Sequence, residues 1–374
     1  MIVHLLFFVL GSTTLGQFSN RELKDIKPFK EDFYFPREVG KKEMMVREKL
    51  METQKKIVDS ACSQISDDCF DVVDEYFVGY NSNRMLAVRT IYTKHDGAQL
   101  KLTVALLQPP NPLTWNDLDS RKWEIRKEYI DLIYPVLMIS NGFMTGTMEL
   151  LSKTTYNILL IGHGGGIISS FFSTLDYVKT NVTSVEIDPL MAEFAKKWFG
   201  YRESESQHLI IDDGLEYFKY AEKEGYKFDV IILDACPNQP DPHTGVFCPL
   251  KQMLDNPVLE RMNNILANNG TLIMNFIANM NPDLEKQVMK QASDVFKDCY
   301  KEHLNTNEAM ITCSNDMGNN PTDNEALFND RYKKLRPYLN IVPFHAEKRY
   351  QESLPKELKS NRVPKVEDWA RDEL

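Results

Sequence analysis

Residues 158–172 read ILLIGHGGGIISSFF, and they place Gly162, Gly164, Gly165 and Gly166 at the end of an apolar run. Glycines there let a backbone approach a ligand with no Cβ in the way. Three later apolar runs end in acids. VTSVEID closes on Glu186 and Asp188, HLIIDD runs into Asp213 and Gly214, and FDVIILD ends at Asp234. An acid about 20 residues after a glycine turn can accept both hydroxyls of a ribose. Asp213 is suited to accept from an exocyclic adenine amine. Each acid alone serves equally well as a helix N-cap or a solvated turn. Four strand ends in series, each closing on glycine or an acid, favour a nucleotide-shaped ligand.

The elements that must hold these residues alternate. NILLIG, VTSVEID, HLIIDD, FDVIILDAC and TLIMNFI read as strands. Between them ISSFFSTLDYV, PLMAEFAKKWFG, GLEYFKYAEKEG and NPVLERMNNILANNG read as helices, the last ended by Gly270. Strands alternating with helices of about 10–15 residues predict an α/β, doubly wound, Rossmann-like parallel sheet. In such a sheet ligands bind at the carboxyl ends of the strands, where the glycines and acids stand. Ahead of it, FDVVDEYFVGY, RMLAVRTIYT and QLKLTVALLQ are rich in β-branched and aromatic residues and separated by turn signals. They predict a small N-terminal antiparallel β unit over residues 70–112. Residues 17–69 read as a helical lead-in, with Val46, Leu50, Ile57 and Val58 at near-helical spacing. A further helix is expected over 120–145, with Ile125, Tyr129, Leu132, Ile133 and Val136 on one face and Pro135 kinking or restarting it.

LLIGHGGG, SVEIDPLMAEFAKKWFGY, IDDGLEYF, FDVIILDA and NNGTLIMNFI resemble the spermidine synthase superfamily of class I S-adenosylmethionine-dependent methyltransferase folds. The likeness is greatest to the C-terminal domain type of methyltransferase-like protein 13 and runs from about residue 85 to 313. It implies a seven-stranded sheet within a domain over 113–315. It also implies S-adenosylmethionine as cofactor, with Gly162, Gly164 and Gly166 in its turn, Glu186 at the ribose, Asp213 at the adenine and Asp234 near the reacting centre. Superfamily members are commonly dimeric, which implies a homodimer.

The chain departs from the polyamine synthases of that superfamily. Where they resemble G-G-G-D-G-G, with an acid for the methionyl amine, this chain has Gly165. Where they carry a compact D-S-S-D-P, it has DACPNQPDP, with Asp241 as the displaced second acid. Methyl transfer therefore ranks above aminopropyl transfer, and a non-catalytic protein on the same fold is a third reading. A sulfonium is already an activated leaving group, so the protein must chiefly align an acceptor. If the acceptor is an amine, an acid must take its proton; Asp234 is the first candidate and Asp241 the second. The acceptor itself has no signature.

The chain has 374 residues and a net charge of −10. That acidity argues against nucleic acid as a partner. Ile2 to Leu10 is an apolar stretch, and Thr14 and Gly16 suit the −3 and −1 positions of a signal-peptidase site, which predicts a signal peptide over 1–16. No segment has the apolar length expected of a membrane span. The tail, 316–374, ends in Arg371-Asp372-Glu373-Leu374, similar to a K-D-E-L retrieval signal read by a receptor. The two termini predict a protein of the endoplasmic reticulum lumen.

Six cysteines fit an oxidising compartment, and no C-x-x-C pair suggests a metal site. Tyr300–Leu304 and Ala309–Cys313 read as a hairpin turning near Thr306, which sets Cys299 opposite Cys313 within disulfide range. Cys62 with Cys69 and Cys236 with Cys248 are then the local pairs; reduced core thiols are the alternative. Asn181 and Asn269 head N-glycosylation triplets.

Overall fold

The computed structural model describes residues 39–78, 85–94, 100–278, 281–304, 307–316, 325–335 and 338–339. The expected signal peptide, residues 1–16, and the RDEL end lie outside them.

Helix α1 (Lys41–Thr53) leads into a first sheet of five strands. These are β1 (Lys55–Cys62), β2 (Cys69–Val78), β3 (Met85–Lys94), β4 (Lys101–Gln108) and β5 (Glu124–Ile125), antiparallel and in chain order. Two expectations change here. Among the described residues of the lead-in, α1 is helical and residues 55–62 are not. KKIVDSAC is an edge strand, in which half-buried residues alternate with exposed ones except at Val58 and Asp59, where the register shifts, and it pairs on one side with β2. Likewise α2 spans only Ile133–Met144. Residues 124–125 join the first sheet instead, and Pro135 sits in the first turn of α2, where no intrahelical donor is required.

The second sheet carries the site. Its strands are β6 (Thr155–Ile161), β7 (Lys179–Glu186), β8 (Gln207–Ile211), β9 (Phe228–Leu233), β10 (Val246–Cys248), β11 (Leu266–Ala278), β12 (Asp298–His303) and β13 (Glu308–Ser314). The main path runs β12-β13-β11-β9-β6-β7-β8, with β10 added to β11. From β11 to β8 all neighbours are parallel. β13 is antiparallel to both β11 and β12. This is the doubly wound sheet the sequence predicts, with seven strands on its path. The expected helix over NPVLERMNNILANNG stops earlier than Gly270: α6 is Asn256–Ile265, and β11 begins at Leu266.

The remaining helices are α3 (Ile167–Phe172), α4 (Pro189–Trp198), α5 (Gly214–Glu224), α7 (Pro282–Val295) and α8 (Glu325–Leu335). Side chains alternate across the parallel strands, as a pleat requires. Leu159, Ile161, Ile231 and Leu233 join Phe218, Leu259 and Val288 of α5, α6 and α7. Ile158, Leu160, Val230 and Ile232 join Val136, Ile139, Phe171 and Leu335 of α2, α3 and α8. Both faces are thus covered, which is why these strands read as continuous apolar runs.

Helix α4 docks the first sheet onto the second. Met191 and Phe194 pack with Phe70, Val72, Ile91 and Ala105. Beside them Arg89 forms a bidentate pair with Asp74 at 2.7 and 2.8 Å. The same guanidinium donates to the carbonyls of Trp198 and Ser120, both at 3.0 Å. The buried pair therefore ties β2 and β3 to the end of α4.

Candidate cofactor and active site

The chain parts on the two sides of β6, with β7 and β8 to one side and β9 and β11 to the other. A crevice at the carboxyl ends of the strands is expected at such a reversal. Gly162 leaves β6 at φ +89°, and its N–H donates to Val185 O at 2.9 Å. A Cβ there would run into the Asp234 carbonyl and stand 2.9 Å from Ala235 N. Only glycine fits, and the tight passage sets the end of β6 directly against the end of β9.

Glu186 is buried at the end of β7, next to this turn. Its Oε2 accepts the backbone N–H groups of His163 at 2.9 Å and Gly164 at 3.0 Å. Its Oε1 accepts the Asp188 N–H at 3.0 Å. Burial pushes its carboxyl above the usual range, against the three donated bonds. Each carboxylate oxygen has two acceptor sites, so the glycine turn leaves Glu186 with capacity for a further donor. The His163 ring is buried edge-on to Tyr201, with centroids 4.5 Å apart. Burial takes its pKa down to about 3, so it is neutral.

Asp188 and Asp213 both act as N-caps, accepting Leu190 N at 2.9 Å and Leu215 N at 2.8 Å. For Asp188 this is the ordinary capping role. Asp213 uses Oδ1 for its cap and stays part-exposed, so it is compatible with a second partner. Ile187 and Ile211, each the residue beside an acid at a strand end, are exposed. Exposed isoleucines next to acids suit the face of a flat base; their signal in the sequence is an apolar residue beside the acids of EID and IDD.

Asp234 follows β9 and is part-exposed. The burial of its surroundings raises its pKa to about 7; an Asn275 hydrogen bond at 3.1 Å opposes this, and Glu308 and Glu186 add repulsion. Tyr134 of α2 stands close enough for the charges of Asp234 and Glu308 to add to the burial that raises its pKa. The sequence reading missed both Asn275 and Tyr134. Asn275 was findable as the lone polar side chain in LIMNFI; nothing marks Tyr134.

Among the described residues no hydrogen bond joins Asp241 to Asp234. Its Oδ1 accepts Thr244 N and Thr244 Oγ1, both at 2.7 Å, and His243 N at 3.1 Å. These bonds hold it below the usual carboxylate range and shape its own loop. That loop is pinned twice. Cys236 is joined to Cys248, and Asn238 Nδ2 donates to Asp68 Oδ2 at 2.7 Å, reaching the β1–β2 turn. Cys236 Sγ lies 3.6 Å from Asp234 Oδ1. The other two disulfides join Cys62 to Cys69 and Cys299 to Cys313, each pair directly opposite in its ladder. Asn181 lies half-buried in β7 with its Nδ2 bonded to Asn157, whereas Asn269 is exposed.

Residues 139–313 match the model of the spermine/spermidine synthase domain. The match includes the glycine turn, Glu186, Asp213, Asp234 and Asn275. The "eEF1A lysine and N-terminal methyltransferase" of Mus musculus is 32% identical over 154 residues, 41% of this chain and 22% of that protein. The chain thus spans less than a quarter of that relative's length. A polyamine aminopropyltransferase of Vibrio vulnificus is 30% identical over 132 residues, 35% of this chain and 41% of that protein. Among solved structures, a probable spermidine synthase from Corynebacterium glutamicum superposes with a TM-score of 0.50 at 14% identity, covering 73% of this chain and 86% of that one. At that identity the likeness speaks for the fold alone.

The residues present fit a nucleoside cofactor. The turn admits no Cβ at Gly162, Glu186 keeps acceptor capacity, and Asp213 with Ile187 and Ile211 offers an acceptor beside exposed apolar surface.

Proposed function

We propose that this chain is an S-adenosylmethionine-dependent methyltransferase of the endoplasmic reticulum lumen that acts on an amine of a protein. The observation that carries the reading is the series of strand ends. Asp213, Glu186, the glycine turn and Asp234 stand in that order along one edge, within a domain shared with enzymes of this chemistry. The methyltransferases named for lysine and N-terminal substrates support methyl transfer to an amine.

When bound, S-adenosylmethionine supplies a methyl group activated by a sulfonium. Glu186 would accept from one ribose hydroxyl through its remaining acceptor site while it holds the turn. Asp213 accepts from the adenine amine. Asp234 does the proton work: an acceptor ammonium must lose a proton before its nitrogen can attack, and the Asp234 carboxylate takes it. A pKa of about 7 keeps part of the carboxyl ionised at neutral pH and makes it a better base than an ordinary aspartate.

A second reading, aminopropyl transfer, is favoured by the match to the synthase domain and by the bacterial relative. Against it stand Gly165 and the commitment of Asp241 to its own loop. The test supplies methyl-labelled S-adenosylmethionine with peptides bearing free lysines or α-amines, and separately decarboxylated S-adenosylmethionine with putrescine. Label on peptide amines is the expected result. An aminopropyl product without methyl transfer would establish the second reading. Binding of the cofactor with neither product would make the chain a non-catalytic protein.

The luminal location rests on the apolar stretch Ile2–Leu10, the RDEL terminus and three disulfides. Deleting Arg371–Leu374 should send the protein into the medium, with Asn269 the glycan site. Retention of the soluble truncated protein inside cells would refute retrieval.

A further inference from the structure

Gly165 differs from the other glycines of its turn. Gly162, Gly164 and Gly166 have φ of +89°, +52° and +73°, which favours glycine; Gly165 is not at positive φ. Its backbone would accept another residue. What forbids a side chain there is Thr103 of β4. A Cβ on Gly165 would run into Thr103 Cγ2 and stand 3.1 Å from Thr103 Cβ and Oγ1. Thr103 Oγ1 also accepts the Gly165 N–H at 3.0 Å. Thr103 is buried and sits in the ladder opposite Ile91, so it is held in place by the first sheet. A residue of the small β unit thus fills the side-chain space of the turn on the other sheet.

Strand order decides which part of the cofactor lies here. β8, β7, β6 and β9 stand side by side. Asp213 follows β8, Glu186 ends β7, the turn ends β6 and Asp234 follows β9. With the base near Asp213 and the ribose at Glu186, the amino-acid end must cross the turn towards Asp234. That end of S-adenosylmethionine carries an ammonium and a carboxylate. A glycine walled by a bound hydroxyl is neutral and tolerates both charges. A carboxylate at the same place would repel the cofactor's own carboxylate and would suit a cofactor lacking it.

We propose that Thr103 is a specificity-determining residue of the cofactor site. By filling the side-chain space of position 165 and engaging its N–H, it keeps this wall neutral and so admits the carboxylate that distinguishes S-adenosylmethionine from its decarboxylated form. The inference rests on the cofactor assigned above and deepens it. Thr103→Ala removes the methyl and hydroxyl that block position 165, leaving a Cβ that must yield only a few tenths of an ångström. The double variant Thr103→Ala/Gly165→Asp therefore admits an acid where the natural chain excludes one.

Calorimetric titration of both cofactor forms into the wild type, Gly165→Asp and the double variant tests this. The wild type should bind S-adenosylmethionine, and the ratio of its affinities for the two forms is the reference. The double variant should shift that ratio by at least about 10-fold towards the decarboxylated form. Gly165→Asp alone should melt below the double variant, because Thr103 obstructs it. An unchanged ratio in a folded double variant overturns the proposal while leaving the cofactor reading intact. Absence of binding of either form to the wild type overturns both. If the double variant does not fold, Gly165→Ala with and without Thr103→Ala decides: the single variant should melt below the double, and equal melting temperatures would overturn the role of Thr103.

Discussion

Asn275 donates its side-chain Nδ2 to Asp234 Oδ1 at 3.1 Å, and its own Oδ1 is buried with no hydrogen-bond partner among the described residues. Asn275 lies in β11 and Asp234 just after its parallel neighbour β9, and their bond opposes the burial that leaves the aspartate pKa raised to about 7. Two outcomes follow for the pH dependence of methyl transfer. Below about 7 Asp234 is protonated and cannot take a proton, so kcat/KM should rise as pH increases through 7. Asn275→Leu removes a bond to the charged form. The acid limb should then move upward by about one pH unit, the equivalent of ~1.4 kcal/mol. A pH–rate profile that is flat from pH 5 to 9 in the wild type, or unmoved in the variant, would remove Asp234 from the proton path.

Gly162 joins conformation to site geometry. Its φ of +89° and the Asp234 backbone both exclude a side chain. Gly162→Ala should lower stability by about 1–3 kcal/mol. It should also weaken cofactor binding, since relief requires the ends of β6 and β9 to separate. Thermal melting and binding of S-adenosylhomocysteine measure the two effects, and a variant with wild-type values in both would contradict this packing.

Breaking the buried Arg89–Asp74 pair should cost more than replacing it. Arg89→Ala leaves the Asp74 carboxylate buried without its partner, a loss of about 3–5 kcal/mol. The double variant Arg89→Leu/Asp74→Leu should lose less, because no charge is stranded. It should not be neutral, since the Trp198 and Ser120 carbonyls lose their donor. Denaturant titration gives both values; a double variant less stable than Arg89→Ala would refute the account of how the sheets are joined.

The Cys299–Cys313 bridge closes a loop with a sequence separation of 14. The chain-entropy estimate for such a loop is ~3 kcal/mol. Non-reducing peptide mapping of protein taken from the secretory pathway should recover the two cysteines in one linked pair of peptides. Free, alkylatable thiols at both positions would refute the bridge.

How much of this was legible in the sequence depends on where burial falls. The parallel strands were readable because both faces are covered, so ILLI and VIIL are apolar throughout. The hairpin register was readable because its turn is short and its cysteines equidistant from it. β1 was misread because an edge strand with one partner carries lysines and acids, and Ile57 and Val58 happen to fit a helical spacing. Glu186, Asp213 and Asp234 were legible as acids at strand ends. The direction of Asp241 was not, since a loop side chain points wherever its own turn satisfies it. The role of Thr103 was invisible for a different reason. It depends on how one sheet sits on another, and no local pattern encodes that contact.

The central claim is that the edge formed by Asp213, Glu186, the glycine turn and Asp234 binds S-adenosylmethionine. Calorimetric titration of the cofactor into the wild type and Glu186→Ala tests it most directly. The wild type should bind stoichiometrically. The variant should lose the contacts of a charged acceptor, about 1.5–3 kcal/mol, a weakening of roughly 10- to 100-fold. Equal affinity in a folded Glu186→Ala protein, or no binding by the wild type, would contradict the account.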